Sequence, residues 1–204
     1  NVSIRFADIS AYISSLTFFT ESVYTGTKYT NEAYYRLLIP SLMSDYEKVI
    51  YLDGDMIALT DLAALYETDM NGYMLASSRD FGGICNCYIE GDPRRAYREG
   101  ELGIRNIDNY IISGMLIFNC AEFNARYTGE ELMKFCASRP WRQHDQDVLN
   151  VLCQDALRII DASWDYVENM GSFRTLPPEL FAEYEESAKN VKIVHFAGPR
   201  KPWK

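Results

Sequence analysis

Compact apolar runs rich in β-forming residues alternate along this chain with stretches of helical period, and that alternation constrains the fold most. Lys48–Leu52 (KVIYL) and residues 110–118 (YIISGMLIF) are the clearest such runs, and both read as buried strands. Residues 2–9, 73–77, 158–160 and 191–196 read as further strands. Helices are expected over residues 31–43, where Pro40 ends or kinks the run for lack of an amide hydrogen, and over 61–66. A third begins at Thr128, where Thr128 and Glu131 can form a capping box. A fourth covers residues 145–154, with Val148, Leu149 and Leu152 on one face, and a fifth covers 179–189 behind two prolines. Strands alternating with helices predict an α/β sheet covered on both faces. Such sheets place their sites at the carboxyl ends of strands, where Asp53, Asp80 and His195 fall. Residues 82–108, with five glycines and no clean period, read as a long irregular segment of the kind that often carries function.

The 204 residues suit one domain spanning 1–204. Hydrophobic residues at 48% and charged residues at 24% are the balance of an ordinary soluble globular protein. A net charge of −9 argues against broad attraction to nucleic acid or an anionic membrane, so a phosphorylated ligand would need a metal ion or a few local Arg and Lys residues. No apolar run approaches the roughly 18 residues of a transmembrane span. Five cysteines, an odd number without a CxxC pair, indicate neither a disulfide framework nor a zinc ribbon. Cys120, Cys136 and Cys153 lie in apolar surroundings and read as reduced core residues, which favours a cytoplasmic location. The 15 tyrosines suit a core and its rim, and also sugar contacts, because each offers an apolar face and a hydroxyl.

The strongest local signal is VIYLDGDM, residues 49–56. Asp53 and Asp55 lie two apart at the end of an apolar strand, so in extended backbone both carboxylates point to one side. A divalent cation would relieve their repulsion and take phosphate oxygens as well. The plain alternative is a turn whose aspartates face water. A strand followed by DxD also suits phosphatases that use the first Asp as nucleophile, but Met56-Ile57-Ala58 fits that pattern poorly. At the far end, His195 closes the last strand and can offer a neutral nitrogen to the same ion. Gly198 permits close approach of a phosphate, and Lys201 offers it a point charge. Two carboxylates, an imidazole and phosphate oxygens suit Mn²⁺ best, with Mg²⁺ next.

Five segments, in order from Tyr34 to Trp203, resemble glycosyltransferase family 8, the retaining enzymes that include lipopolysaccharide galactosyl- and glucosyltransferases and glycogenin. They are AYYRL around Arg36, VIYLDGDM, IISGMLIFN from Ile111, HDQDVLN from His144, and HFAGPRKPW from His195. The resemblance implies a GT-A type fold, a mixed sheet flanked by helices. It implies a hexosyltransferase that moves glucose or galactose from a UDP-sugar to a glycan or lipopolysaccharide-type acceptor. Asp53, Asp55 and His195 would hold the metal. Arg36, Asp53, Asp80, Gly198 and Lys201 would bind the donor, while Asp145 and Gln146 would lie against the sugar near the reacting carbon. Gln146, a poor nucleophile, would act by electrostatic positioning, and Asp145 could equally be a helix N-cap. Residues 82–108 would face the acceptor. Two departures stand out. Ile112 occupies the place of the family's asparagine, which removes a polar contact to the sugar and leaves a catalytically weak nucleotide-sugar or glycan-binding module as the alternative. Nothing before Asp53 resembles the family's Ala-x-Asp-x-Asn loop, so the first nucleotide-binding βα segment is expected to be absent from this stretch of sequence. The full-length protein would then be cytoplasmic or membrane-peripheral.

Overall fold

The computed structural model describes residues 4, 6–19, 30–167, 173–198 and 201–203. Among these, seven strands form in chain order: β1 (Lys48–Leu52), β2 (Met56–Ala58), β3 (Leu75–Ser77), β4 (Met115–Asn119), β5 (Leu157–Ile159), β6 (Tyr166–Val167) and β7 (Ile193–His195). They make two sheets. One is four-stranded in the order β1-β4-β3-β5, and the other is three-stranded in the order β2-β7-β6. β4 is antiparallel to β1, with Lys48 opposite Asn119 and Leu52 opposite Met115, and antiparallel to β3. β3 runs parallel to β5, β7 parallel to β6, and β2 antiparallel to β7. Both sheets are therefore mixed, as the GT-A expectation requires.

β4 shows why the central run is apolar throughout. Successive side chains point to opposite faces, and both faces are covered. Leu116 and Phe118 join Leu75 in a large core with Leu37, Phe123, Leu132 and Leu149. Met115 and Ile117 join Ala76 in a smaller one with Leu65, Trp164 and Ile193. All four of these β4 residues are fully buried. β1 departs from the expectation of a buried strand. Among the described residues it lies at the sheet edge and pairs with β4 alone, and each of its residues keeps partial exposure.

The run at 31–43 breaks at its proline. Glu32–Tyr35 is α-helical, Arg36–Leu38 tightens to a 3₁₀ turn, and Ile39–Leu42 resumes with Pro40 in its first turn, where the missing N–H costs nothing. Gly129–Cys136 forms behind Thr128 with both halves of the capping box made. His144–Cys153 and Pro178–Ser187 form where helices are expected. Residues 82–108 are not an irregular loop. They contain the helices Phe81–Cys87 and Pro93–Ala96, a π-helical turn Tyr97–Glu101 and a 3₁₀ turn Ile107–Asn109, with Cys87, Tyr97 and Arg98 buried. Helices this short show no periodicity in a sequence window. Of the expected strand at 2–9, residues 4 and 6–9 have no strand structure and the rest lie outside the described residues. All five cysteines are buried, and none of them forms a disulfide among the described residues. No helix among the described residues is long and apolar enough to cross a membrane.

Candidate functional site

The two sheets meet where β1 passes into β2, and the turn between them carries Asp53, Gly54 and Asp55. β7 pairs with β2 so that His195 stands opposite Met56, beside that turn. Asp53, Asp55 and His195 each offer a ligand atom within 4.8 Å of the others. The outer oxygen of each carboxylate is already engaged. Asp53 Oδ1 accepts from the Tyr51 hydroxyl at 2.6 Å and lies 3.2 Å from an Arg36 Nη, while Asp55 Oδ2 pairs with the Lys201 ammonium. The inner oxygens converge instead on the imidazole, with His195 Nε2 lying 3.9 Å from Asp53 Oδ2 and 3.4 Å from Asp55 Oδ1. Two free carboxylate oxygens and one ring nitrogen facing a common point are a donor set that fits a divalent cation.

His195 is fixed from behind. Its Nδ1 lies 2.8 Å from Oδ1 of Asp165, whose side chain is fully buried, and Asp165 Oδ2 accepts from the Met115 amide at 2.9 Å. Burial works against the charged imidazole. The hydrogen bond and charge of Asp165, with Asp55 and Asp53 beyond, outweigh that and hold His195 above its ordinary pKa. Gly114 makes the room, because a Cβ there would stand 2.3 Å from His195 Cε1.

The triad opens into a cleft of about 270 Å³ that is also lined by Arg36, Ile112, Ser113, Asp145, Gln146 and Gly198. Arg36 ties the site together. Its Nη1 donates to the Ser113 carbonyl at 2.6 Å, and its guanidinium lies over the Tyr51 ring. Its Nε sits 3.3 Å from Asp145 Oδ2 but gives its one hydrogen to the Ala33 carbonyl. Asp145 Oδ2 thus has a cationic neighbour and, among the described residues, no hydrogen bond, a buried acceptor on a residue that lines the cleft. Burial pushes the Asp145 carboxyl up to about 6, against the charge of Arg36 and a hydrogen bond from Ser113. His144 holds the left-handed conformation at φ 50°, uncommon for a residue with a side chain, immediately before Asp145 and Gln146. Gly198 is left-handed too, at φ 86°.

The expected residues gather unevenly. Asp53, Asp55, His195, Arg36, Asp145, Gln146 and Gly198 line one cleft. Asp80 stands one step away. Its Oδ2 accepts from Gln146 Nε2 at 2.8 Å, its Oδ1 caps the helix Phe81–Cys87, and it borders a neighbouring small cavity walled by Phe81, Tyr166, Phe173 and Tyr184. Lys201 is committed to Asp55 and to the Phe196 carbonyl at 2.7 Å. Asp145 is not the N-cap of its helix. Gln143 holds that position, and Asp145 sits in the first turn. Asp147 supplies the return contact, accepting from the Gln143 amide and from the hydroxyls of Tyr97 and Tyr110. Of the expected acceptor-facing segment, only Gly82 borders either concavity, beside Phe81 at the head of the same helix.

Sequence reasoning did not single out Tyr51, Ser113 or Asp165. Tyr51 was within reach, since it lies two residues before Asp53 on the same side of the strand. Asp165 sits in no motif and shows itself only through its contact with His195.

Residues 6–204 match the family model described as Glycosyl transferase family 8. The chain is 28% identical over 182 residues to General stress protein A of Bacillus subtilis, covering 85% of this chain and 59% of that protein. It is 26% identical over 186 residues to glycosyltransferase GlyF of Streptococcus pneumoniae, covering 90% of this chain and 40% of that one. Among solved structures, the apo form of the bifunctional glycosyltransferase WbbM matches all of this chain and 37% of its own, with a TM-score of 0.84 and 25% identity. The galactosyltransferase LgtC, solved with donor and acceptor sugar analogues, shares the fold with a TM-score of 0.67 at 23% identity, over 86% of this chain and 62% of its own. The chain thus spans between 37% and 62% of the length of these four relatives.

Proposed function

This chain belongs to glycosyl transferase family 8, and from that premise we propose that it moves a hexose, glucose or galactose, from a UDP-sugar to a glycan acceptor with retention of configuration, using a divalent cation. The observation that carries this reading is the convergence of Asp53 Oδ2, Asp55 Oδ1 and His195 Nε2 at the mouth of a cleft lined by polar side chains. Mn²⁺, or Mg²⁺ in its place, would be held by Asp53, Asp55 and His195 and would neutralise the diphosphate as it leaves.

The chain's own residues do the rest. Gly198 has no side chain to keep a phosphate from the backbone, and Lys201, now paired with Asp55, is the cation that can turn to the leaving group. Asp145 offers its unsatisfied oxygen to a sugar hydroxyl. Gln146 donates one of its two amide hydrogens to Asp80, which fixes the amide and leaves its carbonyl oxygen for the electron-poor anomeric carbon. Arg36 keeps Asp53 and Asp145 apart while balancing both charges. The acceptor would be a glycan or glycolipid.

UDP release from UDP-glucose and UDP-galactose with Mn²⁺, measured on the full-length protein, tests the reading. Turnover should fall at least 100-fold in Asp55→Asn. Absence of hydrolysis and transfer with every common UDP-sugar would sink it. One observation favours a second reading, a nucleotide-sugar-binding module with little catalysis. Ile112 places an apolar side chain between the metal cleft and the cavity beside Asp80. Calorimetric binding of UDP-sugar without turnover would decide for that reading.

A further inference from the structure

We infer that Asp165 is the positioning residue of the cation site, setting which nitrogen of His195 faces Asp53 and Asp55. The inference rests on the reading of Asp53, Asp55 and His195 as metal ligands. A neutral imidazole carries its proton on one nitrogen and a lone pair on the other, and only the tautomer protonated at Nδ1 aims a lone pair from Nε2. An ionised carboxylate accepts hydrogen bonds and donates none, so Asp165 Oδ1 at 2.8 Å selects a proton on Nδ1.

Asp165 has little freedom to do otherwise. Its other oxygen is held by the Met115 amide at the start of β4. The 3₁₀ turn that presents it, Ala162–Asp165, is capped by Asp161 and tied to the approach of β7 by the Lys192 amide, which donates to the Ser163 carbonyl at 2.8 Å. Gly114 lies against the imidazole as well, leaving no room there for even a Cβ. A fully buried carboxylate is costly unless its charge is used. Here it is used on one ring, whose remaining nitrogen points at the two free carboxylate oxygens. A carboxylate behind a ligand histidine fixes ring orientation and tautomer, and its loss weakens metal affinity by 10- to 100-fold.

Asp165→Asn is the informative variant. Asparagine has one acceptor oxygen for two facing donors, the Met115 amide and His195 Nδ1. If its NH₂ turns to the ring, Nδ1 becomes the acceptor and the proton moves to Nε2, where the cation should sit. Mn²⁺ uptake, followed by the EPR signal of the free ion with UDP present, should weaken by roughly 10- to 100-fold in this variant. It should weaken no further in Asp165→Asn/His195→Gln than in His195→Gln alone. A second readout needs no altered Asp165. The chain has only two histidines, so ring ¹⁵N spectra of the metal-free protein at alkaline pH, assigned with His195→Gln, should show His195 protonated at Nδ1. Unchanged Mn²⁺ affinity in Asp165→Asn, an equal further loss in the His195→Gln background, or an Nε2-protonated ring would each overturn the role of Asp165 alone. A wild-type protein that takes up no Mn²⁺ would overturn the cation reading, and this inference with it.

Discussion

Asp145 couples the site to stability in a direction opposite to that of most surface carboxylates. Burial raises its pKa from 3.8 to about 6, so between those values the folded protein keeps a proton that the unfolded chain has released. The favourable contribution is complete below about pH 4, declines as pH rises, and is gone above about pH 6. A shift of that size corresponds to of order 3 kcal/mol. Asp145→Asn has nearly the same shape and no charge to desolvate. It should therefore raise the stability of the metal-free protein at pH 7.5 by up to about that amount while reducing sugar transfer, and the gain should vanish near pH 4. Urea melts at the two pH values measure this, and a gain independent of pH would contradict it. Gly114 works by absence. Gly114→Ala would drive a methyl into the His195 ring, so it should weaken Mn²⁺ uptake at least tenfold with little change in the circular dichroism spectrum. Unchanged uptake would show that the ring can move aside.

The elements most legible in the sequence are those whose signal is local. Thr128 and Glu131 predict the start of the helix Gly129–Cys136, and the Thr128 amide and hydroxyl both reach Glu131 Oε2 at 2.8 Å. Thr128→Ala should cost about 1 kcal/mol and lower the melting temperature by roughly 2–4 °C for a domain of this size, whereas Thr128→Ser should cost little; equal losses from the two would argue against the cap. KVIYL forms β1 residue for residue because an apolar β-branched run has few other uses. β2 and β6 carry little sequence signal because two of the three β2 residues are exposed and β6 has only two residues, so neither stands out as a buried apolar run. Residues 82–108 misled for a related reason. Gly83 looks like a loop residue, yet it is a helical glycine, since a Cβ there would stand 2.2 Å from Asp80 Oδ2. The π-helical turn that follows buries Arg98 over the Tyr110 ring at 3.7 Å and 4.0 Å from Asp80. The motif residues were readable because Asp53 and His195 close strands and Asp145 opens a helix. Asp165 and Ser113 were not, because their meaning lies in partners 30 and 77 residues away.

Across the molecule, the candidate metal site is the seam between the two sheets. Asp53 follows β1 of the four-stranded sheet, and Asp55 leads into β2 of the three-stranded one. His195 ends β7, and Asp165 precedes β6 while bonding back to β4. A cation held there would link both sheets in the folded state and have no comparable site in the unfolded chain. Binding should then stabilise by mass action. At 100 times the dissociation constant the gain is about 2.7 kcal/mol, which for a chain of this size raises the melting temperature by roughly 5–10 °C. The apo protein meanwhile balances the two aspartates with Arg36 and Lys201. Asp55→Asn should leave the metal-free melting temperature close to that of the wild type while abolishing the Mn²⁺-dependent rise. Because the ligand nitrogen must be unprotonated and His195 titrates above its ordinary value, the rise should shrink as pH falls through the His195 pKa. EDTA should reverse it. A rise of the same size in Asp55→Asn, or one unaffected by lowering the pH, would place the stabilising ion elsewhere on this acidic chain and separate the seam from metal binding.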